Sequence, residues 1–234
     1  MNMAVTITTM TDLQNTAAQL RLWQLISPAL PVGAYAYSQG LETAVEEAWI
    51  KNEADAVQWI SGIMLNSLLR VDIPVLVRLY LAWQENDLSV VSVWNQRLMA
   101  MRESAELREE DRQLGQALAR LLIDLGCERA LINRHSSAFL TQFTLAAVTW
   151  DIPIRDTACG YLWSWCENQV AAAIKLVPLG QTAGQRILGQ LIEVINAHLD
   201  EGLQRKDNEI GGFLPGLAMA SAWHETQYSR LFRS

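Results

Sequence analysis

"TAGQRILGQLIEVINAHLDEGL", residues 182–203, carries Ile187, Leu191, Ile195 and Leu199 at spacings of four. Side chains four apart stack on one helix face, whereas a half-buried strand would alternate every second residue. The stretch predicts an amphipathic helix, and the same period recurs outward from it. Upstream, 153–176 reads as a helix stopped by Pro178, and 134–150 and 104–125 precede it, the latter closed by Gly126. Asp87 caps another helix, and Asp72 before Pro74 predicts a helix opening there and running to about Gln84. Asn52, followed by Glu53 and Asp55, opens 53–70, with Val57, Ile60, Met64 and Leu68 on one stripe. Ser38 is the expected cap of a helix with Leu41, Val45, Ala48 and Trp49 on its apolar side. Nearer the N-terminus, 12–26 starts at Asp12 and carries Leu20, Trp23 and Ile26. Downstream, a short helix follows Pro215.

Only "AVTIT" at 4–8 alternates, and it is too short and terminal to seed a sheet. The expectation is an all-α fold, a single domain of nine or ten helices packed as an irregular bundle. A flexible N-terminal extension takes 1–11 and the all-helical core 12–203. A mobile loop, "QRKDNEIGGFLPG", takes 204–216, ahead of a C-terminal helix and partner-binding tail at 217–234.

Composition narrows the function. Half of the 234 residues are hydrophobic and 18% are charged, which supports a full-size core. A net charge of −7 disfavours nucleic acid and anionic membranes as partners, since both need basic stripes. Cys127, Cys159 and Cys166 form no C-x-x-C pair, and the first nineteen residues hold no Lys or Arg. These features lead us to expect a cytoplasmic chain with reduced thiols and no signal peptide.

No charge lies between Arg21 and Glu42, so "SPALPVGAYAYSQGLE" at 27–42 resembles a membrane span. Pro28, Pro31, Gln24, Ser27, Ser38 and Gln39 exclude that reading and leave a buried loop or a binding surface.

Chemistry-bearing motifs are sparse. "HETQY" at 224–228 starts like the H-E-x-x-H zinc motif, but Tyr228 stands where the second imidazole belongs. Cys159 and Cys166 fall on a helical stripe with Leu162, Val170 and Ala173, as buried apolar groups or as a thiolate pair. "GQTAGQR" at 180–186 opens a helix but lacks the spacing of a phosphate-binding loop. No nucleophile elbow or paired-aspartate motif is present, so no catalytic or metal-ligating residue is assigned.

"RESAELREEDR" at 102–112 holds eight charged residues in eleven. Arg102 with Glu106, Arg108 with Asp111, and Glu109 with Arg112 fall at helical pair spacings, on a solvated helix or a charged docking face. Lys175, alone among apolar residues, either snorkels to the surface or meets an acid. In the tail, Tyr228, Leu231 and Phe232 interleave with Arg230 and Arg233, a composition suited to an interface.

Four stretches taken together resemble one family, the urease accessory protein UreF. They are "SPALPVGAYAYSQGLETAV" (27–45), "RESAELREEDRQLGQALARLL" (102–122), "KLVPLGQ" (175–181) and "SAWHETQYSRLFRS" (221–234). The resemblance runs from about Leu20 to Ser234. It implies a non-enzymatic, all-α, dimeric maturation factor of the cytoplasm. Such a factor sits between the accessory protein UreD (UreH in some organisms) and the GTPase UreG. The assembly acts on apo-urease to install nickel and a carbamylated lysine. The resemblance implies no resident cofactor, since nickel and GTP are handled by partner proteins, and a role in controlling the GTPase.

By match to the family motifs, Ser38, Gln39 and Glu42 are expected to face the GTPase or the assembly, with Glu42 offered to a basic partner group. Tyr35 and Tyr37 are candidates beside them. Lys175 and Gln181 match an interface element. His224, Glu225, Tyr228, Arg230 and Phe232 match a tail that orders on partner binding. Two departures stand out: Ala34 replaces a frequent second glycine, and Trp223 replaces a frequent basic residue. The alternatives are an all-α enzyme with a small-molecule pocket at 27–42, or a generic helical adaptor.

Overall fold

The computed structural model describes residues 10–132 and 134–234. The expected extension 1–11 and the "AVTIT" segment lie outside the described residues, apart from Met10 and Thr11, which open the first helix. The described chain is all-α. Its helices are α1 (Met10–Leu25), α2 (Leu41–Glu46), α3 (Glu53–Ile63), α4 (Ile73–Gln84), α5 (Leu88–Ala100), α6 (Ala105–Asp124), α7 (Phe139–Thr149), α8 (Ile154–Leu176), α9 (Gln181–Gln204) and α10 (Pro215–His224).

Local chemistry sets most boundaries. Asn52 accepts the Asp55 N–H at the start of α3, and Asp87 accepts those of Ser89 and Val90 at the start of α5. Ser104 accepts Leu107 N–H at the start of α6, which ends before left-handed Gly126. Pro153 precedes α8, and Pro215 occupies the first turn of α10. α7 starts later than its periodicity predicts, because Ala138 is extended and the turn before it lies across α6.

The expected break at Asp72–Pro74 does not occur. A π-helical segment, Met64–Asp72, joins α3 to α4 in one rod. Asp72 has helical backbone angles and caps nothing. Pro74 has no N–H to give the Arg70 carbonyl one turn back, and that carbonyl accepts Gly211 N–H at 3.2 Å instead. The 204–216 segment thus lies along the rod, where Arg78 also bonds Asp207 and the Arg205 carbonyl. The rod is long and apolar enough to cross a membrane by composition, but 67% of its apolar window is buried inside the fold.

α4 packs against α5 and α7, α6 against α7, and α8 against α9. Trp83, Phe143, Ile60, Met64, Leu76 and Leu118 are fully buried between them, each contributing roughly 1.5–3 kcal/mol. The α9 stripe of Ile187, Leu191, Ile195 and Leu199 points inward as its spacing predicts. The α1 stripe does not: Leu20 and Trp23 are more than half exposed, while Ala18 and Leu25 are buried. Cys166 is buried and Cys159 exposed, so the two do not share an environment.

α6 approaches the 137–138 turn so closely that a Cβ on Gly115 would stand 2.0 Å from the Ser137 carbonyl oxygen. Backbone cannot yield there as a side chain can. Gly115→Ala is expected to destabilise the fold by about 3 kcal/mol in urea denaturation. An unchanged midpoint would refute this contact.

Candidate partner-binding site

The 27–42 segment is an irregular connection shaped by glycines. Gly33 takes φ +83°, and Ala34–Ala36 then form one 3-10 turn without left-handed angles, so alanine at 34 is accommodated. Gln39 (φ 55°) and Gly40 (φ 76°) turn the chain into α2. The helix cap is Gly40 rather than the expected Ser38, although Ser38 Oγ still accepts Glu42 N–H at 3.3 Å. A Cβ on Gly40 would lie 3.1 Å from Ala220 Cβ, so glycine there also lets α2 meet α10.

That turn delivers Glu42 into a buried cluster. Its Oε1 accepts Leu231 N–H at 2.7 Å, and its Oε2 accepts Phe232 N–H at 2.9 Å. Glu42 Oε2 also lies 3.2 Å from His224 Nε2. On the other side of the ring, His224 Nδ1 is 2.9 Å from Glu106 Oε2, whose second oxygen accepts from Arg230 at 3.1 Å. His224 is fully buried. The two carboxylates flank opposite ring nitrogens and do not converge on a common point. Among the described residues no group of three or more His, Cys, Asp or Glu is placed to hold a metal ion.

The tail closes this cluster. The Ser234 carbonyl accepts Ser38 N–H (2.7 Å), Ser38 Oγ (2.6 Å) and Gln39 N–H (3.1 Å), and Arg233 N–H bonds the Ala36 carbonyl. Ser234 Oγ donates to buried Glu110 at 2.6 Å, which also accepts Gln39 Nε2. Burial pushes the Glu110 carboxyl up to about 7, against the lowering effect of those bonds from Ser234 and Gln39. Phe232 is buried, with Lys175 Nζ 5.6 Å from its ring centroid.

Behind Glu110 lies a second network. Arg102 bonds both oxygens of Asp72 and, through Nε, Asp111. Burial opposes the Arg102 charge, but Asp111 and Asp72 overcome this and hold its pKa well above the usual value. Tyr161 donates to Asp72, and Phe139 N–H to Asp111. A cavity of about 120 Å³ separates this network from the 27–35 connection; Leu30, Val32, Tyr35 and Trp165 are among its lining residues.

Seven of the sequence-derived candidates meet in this region: Tyr37, Ser38, Gln39, Glu42, His224, Arg230 and Phe232. Tyr37 is buried and donates to Gln113 at 2.7 Å, and the Gln39 amide spans Glu110 and Trp165. Lys175 is exposed at the end of α8 and joins through Phe232. Glu225 and Tyr228 are exposed, Tyr228 fully, and Gln181 opens α9 on the surface. Trp223, half-exposed, places its ring centroid 5.7 Å from that of Trp49, the planes tilted by 56°.

Glu110 and Gln113 were not singled out in the sequence, and Glu106 entered only as a helical pair with Arg102. Their spacing of four and three, alongside buried Leu107 and Leu114, was the available signal for an inward polar face. The 102–112 pairing also differs from expectation. Glu109 does pair with Arg112, but Arg102 turns to Asp72 and Asp111, and Glu106 to His224 and Arg230.

The fold and site define an all-helical protein whose buried carboxylates hold its own tail. The UreF family model matches residues 50–192. A urease accessory protein UreF of Alkalilimnicola ehrlichii is 55% identical over 219 residues, covering 93% of this chain and 96% of its own. Namesakes from Marinobacter nauticus (49%, over 93% and 94%) and Teredinibacter turnerae (51%, over 92% and 98%) are similar throughout. The chain belongs to the UreF family of urease accessory proteins.

Glu42→Ala would leave the Leu231 N–H and the buried Phe232 N–H without their acceptor and His224 Nε2 without its partner. The expected loss is about 3 kcal/mol of unfolding free energy. An unchanged urea midpoint would show that the cluster contributes nothing to stability.

Proposed function

We propose that this chain is a non-catalytic scaffold of urease maturation in the cytoplasm. It holds a UreD (UreH)-type accessory protein and a UreG-type GTPase on apo-urease subunits while nickel is inserted at the expense of GTP. Nickel and GTP belong to the partners, and the scaffold modulates the GTPase through contact. Membership of the family supports this reading.

The observation that carries it is the arrangement of the tail. Residues 230–234 are anchored by buried Glu42 and Glu110 and by partly buried Glu106, yet Tyr228 and Leu231 project fully or largely into solvent. An aromatic and an aliphatic side chain held outward on an anchored segment are preorganised for a protein partner, since little conformational entropy remains to be lost on docking. The homodimer implied by the family has an apolar face available on α1, at Leu20 and Trp23.

The double variant Tyr228→Ala/Leu231→Ala tests the surface without touching the buried cluster. It should keep its helical circular dichroism and melting temperature while its affinity for the UreD-type partner drops at least tenfold in a titrated pull-down. Full retention of that affinity would refute the tail as the partner surface. Deleting 223–234 should also weaken binding with the helices retained, but at lower stability, because His224 and the tail donors to Glu42 go with it.

A further inference from the structure

We propose that residues 225–234 form a proton-controlled latch, docked while Glu110 holds its proton and released when that proton leaves. The inference rests on the reading of the tail as a partner surface and adds its regulation.

The groups that hold the tail come from different elements. His224, on α10, faces Glu42 of α2 and Glu106 of α6, and Arg230 of the tail reaches the same Glu106. Glu42 also accepts the Leu231 and Phe232 N–H groups, so the same cluster holds the tail.

Glu110, on α6, faces Gln39 and Ser234, with Asp111 and Arg102 beside it. The docked tail covers it, and burial holds its carboxyl at about 7. When the tail swings out, water returns and the ordinary carboxylate value is restored. The docked state therefore binds a proton that the open state gives up. Docking is fully favoured below the ordinary carboxylate range and weakens as pH climbs through about 7.

The connection that must move is suited to it. Glu225, Thr226, Tyr228 and Ser229 are exposed, and the Thr226 and Gln227 N–H groups bond only the adjacent end of α10. Release would free the Ser38 and Gln39 N–H groups together with the tail's own donors.

Amide hydrogen exchange on the full chain, corrected for intrinsic pH dependence, reads both sides of the latch at Ser38, Gln39, Leu231, Phe232 and Arg233. Between pH 5 and 7 the opening constant should rise up to tenfold per pH unit for each proton released, then level off. Glu110→Gln should flatten that rise. Should Glu110→Gln fail to fold, the pH dependence of the unaltered chain decides alone. Opening constant within twofold from pH 5.5 to 8.5, or an undiminished rise in Glu110→Gln, overturns the latch. If the latch opens with pH while Tyr228→Ala/Leu231→Ala binds its partner normally, the latch stands and the partner-surface reading falls.

Discussion

A single buried guanidinium sets the frame on which the rest of the molecule depends. Arg102 lies between α5 and α6, yet it bonds Asp72 at the end of the π-helical segment and Asp111 on α6. Asp72 in turn accepts from Tyr161 of α8, and Asp111 from the first N–H of α7. A cation with two anions, fully hydrogen-bonded, is a tolerable interior arrangement; removing any member would leave uncompensated buried charge. The central rod, α6, α7 and α8 are thereby tied at one point. The π-helical stretch ends at Asp72, where that carboxylate reaches the guanidinium.

With α6 held there, its next inward positions form the second network. Glu106 and Glu110 lie along the same helix and meet His224, Arg230, Gln39 and Ser234. The tail is thus docked by hydrogen bonds to buried carboxylates, with little apolar burial beyond Phe232. Such docking is sensitive to charge state in a way that hydrophobic docking is not. It also leaves Tyr228 and Leu231 free, so anchoring and display are divided between neighbouring residues.

Much of the fold was legible because helices announce themselves locally. Asn52, Asp87 and Gly126 act at helix ends as their chemistry predicts, and the α9 stripe is buried as its period requires. Asp72 was misleading for a physical reason: an acid before a proline is a helix-start signal, and only a distant arginine turns it into a core group. Pro74 was misleading likewise, since its missing N–H is compensated by Gly211, far along the chain. The candidate site was half legible. Motif resemblance reached Ser38, Gln39, Glu42 and His224, but not Glu106 and Glu110, whose partners lie more than seventy residues away.

By itself, the sequence determined the helical class, most helix ends, the absence of a phosphate-binding or zinc motif, and the family. Those depend on residues within a few turns of one another, where spacing and side-chain type suffice. Tertiary structure alone decided which charges are buried, which partner each takes, and that the tail folds back onto α2 and α6. A charge cluster such as 102–112 reads as solvated until the fold brings Asp72, His224 and Ser234 against it. The energy of a charge depends on its surroundings, and those surroundings come from the whole chain.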